Sequence, residues 1–593
     1  MLLPSLALTQ ATGFKTVGSS GVAAQMIFVP PRTNTVVFLD NYHANYGLGA
    51  DLKTGAHSPN AWKYEGSEMA VFGSEYNLAN NTVRALRPKS NTFCSAGAFF
   101  PNGTMLNLSG AEADWEGVGV EEGFDKMRIF PPGPCEKDVC TADWVELATP
   151  LQSKRWYPTS ITMTDGSILV VGGSNKGGLV LNEASINVPT YEIIHVDGRQ
   201  PKAPVTLPIL EFTDAENLDP GKSYNLYPIL HTLPNGEGKD LVFTIAGNRT
   251  VVWDYANDTL VKALPDTPMQ PRTFPSSATS VLLPLLAPDY EPTVLVCGGS
   301  SGDMPAPKAL DDCWRISPNS VKPEWVADDV MPNGAQTMTV RRYLKWVILG
   351  LVLTWRQDAI ALPDGTFLFI NGAHTGSAGG FQADDPVLAP MIYDPNAPAG
   401  KRFTNMPPTT IPRMYHSVAT LLPSGEVLVA GSNPAVMYTA DGKVGGGWPK
   451  FQNNGKTCAL EQQQRKESAF PLEYRVEIFT PPYLKDVNTR GRPQITAVPE
   501  TIAYGAKFTI SGKLKGVERM SGTIGITLMS QGFNTHSMSM GQRVVMLEFK
   551  AVADSYDFTV TAPRDASVMP PGIYLLFVTQ EGVPSEGSWI NLA

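Results

Sequence analysis

A hairpin pattern recurs seven times along this chain of 593 residues. Each copy joins an apolar run to a run rich in β-branched residues through a turn, and most copies end in glycine. The clear copies are 96–110, 160–173, 360–372 and 417–431, and the weaker ones are 23–40, 227–247 and 277–299. Asn-Gly and Asp-Gly turns between β-rich runs are hairpin signals. The pattern therefore predicts an all-β protein built from repeated hairpins.

The recurrence indicates how these hairpins are arranged. One hairpin cannot bury both of its faces, so a repeat of several tens of residues indicates a propeller or a solenoid. The Gly-Gly ends at Gly172-Gly173 and Gly298-Gly299 resemble kelch repeats. We therefore predict a seven-bladed kelch-type β-propeller over residues 21–472. Strand spacing alone does not separate this fold from a large β-sandwich assembly, which stays open as the alternative.

The two ends of the chain differ from the repeats. Short strand-like runs alternate with turns from 492 to 593, which predicts a C-terminal immunoglobulin-like β-sandwich over residues 473–593. Residues 1–20 begin with an apolar stretch that lacks a basic segment and is short for a signal peptide. We interpret them as the end of a signal peptide followed by a lead-in to the first repeat.

Charge and cysteine content narrow the class of protein. The net charge of −10 repels phosphate backbones, so we expect no nucleic-acid partner. Two local disulfides, Cys135 with Cys140 and Cys297 with Cys313, suit a secreted protein, and buried free thiols are the alternative for each pair. We expect a secreted, extracellular monomer without membrane insertion.

Residues 339–357 interrupt the repeat pattern. Their apolar run from 346 to 355 falls far below the roughly 20 residues that span a bilayer. A buried insertion, an interfacial membrane loop and a gene-model error are the three explanations. We favour the last, because an exposed apolar run is an aggregation hazard.

Four short segments carry the chemistry. The chain has only 7 histidines, and two of them, His416 and His536, lie in Arg-Met-Tyr-His-Ser and Asn-Thr-His-Ser contexts between strand-like runs. A cysteine, Cys94, lies in Thr-Phe-Cys-Ser-Ala-Gly, and Tyr157 lies in Arg-Trp-Tyr-Pro. Two histidines alone would not select a metal, because imidazole suits copper, zinc, iron and nickel. Each residue alone is more often a buried structural residue.

Taken together, the four segments resemble the copper radical oxidases, a family that includes galactose oxidase and the more similar fungal glyoxal oxidases. The resemblance extends from about residue 21 to residue 593. It implies a copper ion bound by Tyr157, Tyr415, His416 and His536. It also implies that Tyr157 is cross-linked to Cys94 as a radical cofactor, and that Tyr415 is the axial ligand and base. The cofactors would then be copper and this Cys-Tyr pair.

One departure bears on the substrate. Galactose oxidase has a tryptophan after a Gly-Gly-Ser that follows its radical tyrosine, whereas Asn175 follows Gly172-Gly173-Ser174 here. The resemblance therefore favours the glyoxal oxidase branch. Its implied activity is oxidation of small aldehydes, such as glyoxal or methylglyoxal, to carboxylic acids with reduction of O2 to H2O2. Primary alcohols are the alternative substrates.

Two other classes of function compete with this one. A non-catalytic kelch propeller that binds a protein or a glycan would share the fold, because fold alone does not decide function. A propeller glycosidase would need a pair of carboxylates at the channel, and no motif in the sequence points to such a pair. The joint presence of the cysteine, the two tyrosines and the two histidines favours the oxidase.

Overall fold

The computed structural model describes most of the chain as β-strands joined by turns. The described residues are 12–112, 119–133, 135, 140–176, 184–211, 225–237, 239–268, 271–300, 309–332, 357–375, 378, 383–433, 470–485, 487, 491–514, 523–552 and 555–593. The helical elements given for the described residues are short: Pro208–Glu211 and the 3-10 turns Ala184–Ile186 and Pro482–Leu484. The predicted all-β class is therefore confirmed.

Seven antiparallel sheets of four strands each make up most of the repeat part of the described chain, and Ala373–Thr375 pairs with Asp384–Pro386 in a small sheet of its own. In order from the first strand outward, the seven are sheet 1 (Met26–Phe28, Thr35–Leu39, Gly73–Asn77, Thr82–Leu86), sheet 2 (Ala96–Phe99, Met105–Leu108, Met127–Phe130, Val145–Glu146), sheet 3 (Thr159–Thr162, Ile168–Val171, Thr190–Ile194, Val205–Thr206), sheet 4 (Ile229–Leu233, Leu241–Ala246, Arg249–Asp254, Thr259–Leu264), sheet 5 (Thr279–Leu282, Val294–Cys297, Cys313–Ile316, Val326–Ala327), sheet 6 (Asp358–Ala361, Phe367–Ile370, Met391–Tyr393, Phe403–Asn405) and sheet 7 (Ser417–Leu421, Val427–Gly431, Arg475–Thr480, Gly13–Ser19). In sheets 1 to 6 the four strands follow one another along the chain, whereas sheet 7 takes its fourth strand from the start of the described chain.

Each of the seven predicted hairpins forms the first two strands of one sheet. These strands are buried almost throughout, as in Ile168–Val171 and Phe367–Ile370, whereas outer strands such as Thr259–Leu264 are mostly exposed. The first strands of several neighbouring sheets lie against one another. The apolar first and second strands therefore surround a common centre, and the polar outer strands face solvent.

Sheet 7 joins the two ends of the repeat part. Its fourth strand, Gly13–Ser19, pairs antiparallel with Arg475–Thr480, and Phe14 packs against Phe479 with ring centroids 5.1 Å apart. The repeat part therefore reaches beyond the predicted limits of 21 and 472 at both ends.

The C-terminal part contains two further sheets. One has the strands Pro493–Ala497, Lys507–Leu514, Asp557–Thr561 and Phe549–Ala551, and the other has Arg543–Met546, Ile524–Ser530, Gly572–Gln580, Ser588–Leu592, Thr501–Ile502 and Val583–Pro584. Buried side chains of both sheets, among them Ile510, Val560 and Leu576, share one core with residues of sheets 4 and 5. Leu285–Leu286 also pairs parallel with the second sheet.

A hairpin of the C-terminal part enters the repeat part. Its strands are Phe533–Thr535 and Met538–Met540, and the first pairs antiparallel with Met26–Phe28, so the hairpin extends sheet 1 to six strands. The side-chain amide of Asn534 donates to the Ala419 carbonyl at 2.8 Å. The turn of this hairpin, with His536, thereby reaches the centre that the first strands surround.

Other expectations concern cysteines and the interrupting segment. Disulfides join Cys135 to Cys140 and Cys297 to Cys313, as predicted. Cys458 and residues 339–356 lie outside the described residues. Within the described part of the chain, no helix has the length and apolarity that a membrane span requires.

Candidate metal centre

The chain enters the first strand of six sheets through a residue in the left-handed backbone region. The six residues, with φ between 45° and 60°, are Ala24, Cys94, Tyr157, Tyr227, Ser277 and His416. This region is uncommon for residues other than glycine, so its recurrence at equivalent positions is a property of the repeat. Three of the five predicted site residues occupy this position. The repeat therefore delivers their side chains to one centre from three different sheets.

A buried arginine fixes the loop before Tyr157. Nη1 of Arg155 donates to the Gly172 carbonyl at 2.8 Å, and Nε donates to Glu192 at 2.9 Å. Both charged side chains are fully buried. A buried ion pair is stabilising only when its hydrogen bonds are satisfied, as they are here, and breaking it by removing one partner is costly. The pair therefore holds the tyrosine two residues further on in a defined place.

The same arrangement recurs before Tyr415. Nη1 of Arg413 donates to the Gly431 carbonyl at 2.8 Å, and Nε donates to Glu477 at 3.0 Å. Each arginine thus precedes a predicted tyrosine ligand by two residues and binds the last residues of the second strand and a carboxylate of the third. The two sheets therefore hold their tyrosines in place by the same interactions, in which an arginine binds a backbone carbonyl and a carboxylate.

The two histidines face each other. Their Nε2 atoms lie 3.1 Å apart. Nδ1 of His416 lies 3.2 Å from the Asn433 carbonyl and must carry hydrogen to donate to it. Nδ1 of His536 lies 2.6 Å from the Thr535 hydroxyl, and that hydroxyl can accept from Nδ1 while it donates to the Gln25 carbonyl at 3.3 Å. In these tautomers both Nε2 atoms carry only lone pairs.

Two imidazole Nε2 atoms that carry no hydrogen and lie this close together can bind one cation between them. Nitrogens that each bind one ion at about 2.0–2.1 Å lie within about 4.2 Å of each other. Hydrogen bonds from Nδ1 to a carbonyl or hydroxyl are the usual way in which proteins orient a metal-binding imidazole. Burial also lowers the pKa of His416 to about 3, so its ring is neutral at neutral pH.

Cys94 completes a cluster of three buried ligand atoms. Its Sγ lies 3.4 Å from Nε2 of His536 and 4.0 Å from Nε2 of His416. It is the free cysteine of the described residues, and its side chain is fully buried. Burial raises the pKa of this thiol, and a hydrogen bond with Tyr157 opposes that shift. The sulfur and the Tyr157 phenol are therefore direct neighbours.

The two predicted tyrosines flank the histidines. The ring of Tyr415 stacks on that of His416, with centroids 3.7 Å apart and planes at 29°. Tyr157 meets the His536 ring edge-on at 5.7 Å, and Tyr415 meets it edge-on at 5.6 Å. Burial and the neighbouring Cys94 raise the pKa of Tyr157, so its phenol is protonated unless a cation lies close. The structure brings all five predicted residues together.

Three residues of the centre were not predicted from the sequence. Tyr227 contacts the rings of Tyr157 at 5.2 Å and His536 at 4.9 Å, and Phe274 stacks on Tyr157 at 4.5 Å with planes at 28°. Asp358 lines a cavity of about 20 Å³ together with both histidines, and burial raises its pKa to about 7. The sequence contains a pattern that could have indicated two of them. Tyr227 and Phe274 are each followed by a proline shortly before the first strand of a sheet, as Tyr157 is.

The comparison with known proteins agrees with this arrangement. The family model described as the glyoxal oxidase N-terminus matches residues 26–445. The chain belongs to the glyoxal oxidase family. A second model, the galactose oxidase-like early set domain, matches residues 492–592. The predicted resemblance is therefore confirmed.

Curated relatives of this glyoxal oxidase family member cover nearly its whole length. Aldehyde oxidase GLOX1 of Arabidopsis thaliana is 32% identical over 97% of this chain and 83% of its own length. Aldehyde oxidase GLOX of Vitis pseudoreticulata is 33% identical over 97% of this chain and 96% of its own. These relatives confirm the prediction of an oxidase.

A solved structure shares the fold. It is described as a novel fungal alcohol oxidase with catalytic diversity among the AA5 family, in complex with copper. The TM-score is 0.67 at 17% identity, over 98% of this chain and 100% of that one. At this identity the similarity concerns the fold alone, and it covers both the repeat part and the C-terminal part of the chain.

Proposed function

We propose that this protein is an extracellular copper radical oxidase that oxidises small aldehydes to carboxylic acids and reduces O2 to H2O2. The observation that carries the proposal is that the Nε2 atoms of His416 and His536 lie 3.1 Å apart, with the Cys94 sulfur 4.0 Å and 3.4 Å from them and two phenols beside them. A structural histidine pair would not need both lone pairs turned towards each other. The names of the relatives, aldehyde oxidases, agree with the proposed chemistry.

The donor set fits copper. His416 and His536 would hold the ion through Nε2, and Tyr157 and Tyr415 through their phenol oxygens. Imidazole and anionic oxygen ligands suit Cu(II). When bound, copper supplies a one-electron redox couple and a positive charge that favours the phenolate form of both tyrosines. Burial makes that charge effective, because it is poorly screened inside the protein.

Cys94 and Tyr157 supply the second redox centre. Oxidation of an aldehyde removes two electrons, so one more one-electron centre is needed beside the metal. A thioether between Sγ of Cys94 and the ring of Tyr157 would delocalise an unpaired electron over ring and sulfur. The hydrogen bond between these two side chains and the stacked Phe274 ring support this role. Exclusion of water by the buried rings would protect the radical.

Tyr415 would move the substrate proton. Its ring is half-buried and stacked on His416, which holds the phenol beside the proposed metal. As a phenolate it would accept the hydroxyl proton of an aldehyde hydrate. Loss of that proton, the C–H proton and two electrons converts the hydrate into the carboxylic acid, and O2 takes up the two protons and two electrons as H2O2.

The crowded centre favours small substrates. Tyr227 and Phe274 pack around Tyr157, and both histidines line a narrow cavity. We propose glyoxal, methylglyoxal and similar aldehydes as substrates. A primary alcohol is the second candidate, because galactose oxidase of Gibberella zeae matches 40% of the chain at 29% identity.

The remaining features of the proposal concern architecture and location. We propose that the seven sheets are blades of a kelch-type propeller, that the C-terminal part is an immunoglobulin-like domain, and that the protein is a secreted monomer. The two disulfides support an oxidising compartment. Sedimentation of the secreted protein tests the monomer.

The test of function is oxygen consumption by copper-loaded protein. Glyoxal, methylglyoxal, a primary alcohol and galactose are compared, with copper-free protein as control. We expect O2 uptake matched by H2O2 production and by acid product, fastest with the small aldehydes. Absence of turnover with every substrate, in protein that holds one copper, would contradict the proposed function.

A further inference from the structure

Asp358 is a buried carboxyl at the start of sheet 6. Its side chain is 4% exposed, and within the described part of the chain no lysine or arginine forms an ion pair with it. A buried carboxyl without an ionic partner is costly unless it is hydrogen-bonded. Its presence at the centre therefore calls for a hydrogen-bonding role.

The carboxyl binds two groups from different parts of the molecule. Nδ2 of Asn371, at the end of the next strand of sheet 6, donates to Oδ2 at 2.7 Å. The backbone N–H of Ser537, in the hairpin of the C-terminal part, also donates to the carboxyl, and Asp358, His536 and Ser537 line one cavity. Asp358 thus joins sheet 6 to the residue that follows His536.

The bonded turn is one that needs support. His536 and Ser537 both adopt left-handed conformations, with φ of 51° and 65°. Two successive non-glycine residues in this region are strained, and such strain persists only where the surroundings hold it. The bond from the Ser537 N–H to Asp358 therefore holds the turn at the residue that follows His536.

The same strand of sheet 6 is anchored to the hairpin further on. The Gln542 side chain accepts from the Ala361 N–H at 2.9 Å and donates to the Ala359 carbonyl at 3.0 Å. These bonds dock the second strand of the hairpin but do not touch the turn. Removing these bonds in a variant would weaken the attachment of the hairpin to sheet 6 and leave the contact between Asp358 and Ser537 in place.

We propose that Asp358 is a positioning residue that holds the His536–Ser537 turn, and with it the Nε2 atom of His536, at the metal centre. The proposal rests on the proposed function only in taking His536 as a copper ligand. Asp358 acts by accepting the Ser537 N–H, so an asparagine, which keeps one acceptor oxygen, fulfils the same role. Alanine does not.

Copper titration and electron paramagnetic resonance of Cu(II)-loaded protein test this without any need for turnover. Asp358→Ala should weaken copper binding by about 10–100-fold and change the nitrogen hyperfine pattern, as loss of a residue behind a ligand does. Asp358→Asn should restore both towards wild type. Wild-type copper that binds with two-nitrogen hyperfine structure but supports no oxidation would contradict the proposed function and leave this inference standing.

Two controls isolate the turn contact. Asp364→Ala removes another carboxyl of sheet 6, one that caps the Thr366 N–H in a turn, and should leave copper binding unchanged. Gln542→Ala should lower thermal stability more than it changes the copper spectrum. Asp358→Ala with the affinity and spectrum of wild type would overturn the proposal.

Hydrogen–deuterium exchange decides the matter even if Asp358→Ala fails to fold. In copper-free wild-type protein, the Ser537 amide should exchange as slowly as the amides of Phe533–Thr535, because it is hydrogen-bonded to Asp358. Exchange at the rate of an open turn would contradict the proposal.

Discussion

At the scale of single residues, the centre is made by two imidazoles that lie 120 positions apart in the chain and 3.1 Å apart in space. The partner of each Nδ1 atom, a backbone carbonyl or a threonine hydroxyl, favours the tautomer in which Nε2 carries no hydrogen. The neighbouring Cys94 thiol and Tyr157 phenol are buried and uncharged on their own. The chemistry of the centre therefore depends on a cation and on the oxidation of a thiol–phenol pair.

We predict that copper-loaded, oxygen-exposed protein contains a thioether between Cys94 and Tyr157. A C–S bond replaces the S–H and a ring C–H, and O2 takes the two protons and two electrons. Intact mass should fall by two hydrogens, and a cross-linked peptide should appear. Cys94→Ser should lack both changes. A Cys94 that alkylates fully in active protein would refute the thioether.

Tyr227 gives a second residue-scale prediction. Its hydroxyl donates to the Ser95 carbonyl at 3.2 Å, and its ring packs on His536. Tyr227→Phe leaves a buried carbonyl unpaired, which costs about 1–3 kcal/mol of folding free energy next to Cys94. We expect kcat to fall by about 10-fold with KM little changed.

The matched control is Tyr191→Phe. In the wild type, the Tyr191 hydroxyl donates to the Tyr255 carbonyl at 3.3 Å, between sheets 3 and 4 and away from the centre. The variant should lose similar stability and keep kcat. Equal loss of kcat in both variants would mean that Tyr227 acts only through stability.

Residue identities at the centre were predictable where a motif surrounds them. Cys94, Tyr157, Tyr415, His416 and His536 lie in segments that resemble the family, whereas Asp358 adjoins a segment without resemblance and is a common residue type. Its importance comes from the Ser537 N–H, 179 positions later, to which no local pattern points. Tyr227 shares only a Tyr-Pro pair with Tyr157-Pro158, and a dipeptide is too short a pattern to mark a site.

At the scale of elements, the hairpin of Phe533–Thr535 and Met538–Met540 joins the two parts of the molecule. It pairs with sheet 1, and the Gln531 amide donates to the Leu421 carbonyl of sheet 7 at 2.6 Å. The hairpin also contacts the first strands of several other sheets, among them Ala96–Phe99 and Ser417–Leu421. The C-terminal part therefore supplies a ligand that the repeats do not.

We predict that His536→Ala abolishes tight copper binding and oxidase activity while both parts stay folded. Loss of one of two nitrogen donors leaves the ion poorly held, whereas the hairpin keeps its backbone pairing. Copper analysis after dialysis and circular dichroism measure the two effects. His195→Ala, on an outer turn, is the control and should behave as wild type; full activity of His536→Ala would exclude the hairpin as a source of a ligand.

Elements were predictable to the extent that their hydrophobic pattern is local. Five of the seven inner hairpins, 96–110, 160–173, 227–247, 360–372 and 417–431, have a glycine in the turn between their apolar runs. Outer strands such as Val326–Ala327 and Thr259–Leu264 are short or exposed and carry no such pattern. The pairing of the C-terminal hairpin with Met26–Phe28 joins residues about five hundred positions apart, and only the tertiary structure decides it.

At the scale of the whole molecule, sheet 7 closes the repeat part by combining strands from both ends of it. Gly13–Ser19 covers the edge of Arg475–Thr480, which would otherwise expose unpaired backbone groups. The predicted limit at 472 missed this, because Arg475–Thr480 and Gly13–Ser19 are separated by the whole repeat part. Stability of the molecule therefore depends on a strand near the start of the described chain.

We predict that Phe14→Ala lowers the thermal midpoint of the whole protein. Its ring packs half-buried on Phe479, and its loss removes about 1–3 kcal/mol of apolar burial from the closing strand. Calorimetry measures the shift. Leu260→Ala, at a 63% exposed position of an outer strand, should leave the midpoint unchanged. Equal midpoints for all three proteins would show that closure does not limit stability.

The most direct measurement of the central claim is the position of copper in crystals of loaded protein, located by anomalous diffraction at the copper edge. We predict one peak at about 2 Å from Nε2 of both His416 and His536, in contact with the phenol oxygens of Tyr157 and Tyr415. A peak elsewhere, or full copper occupancy without contact to both imidazoles, would contradict the account.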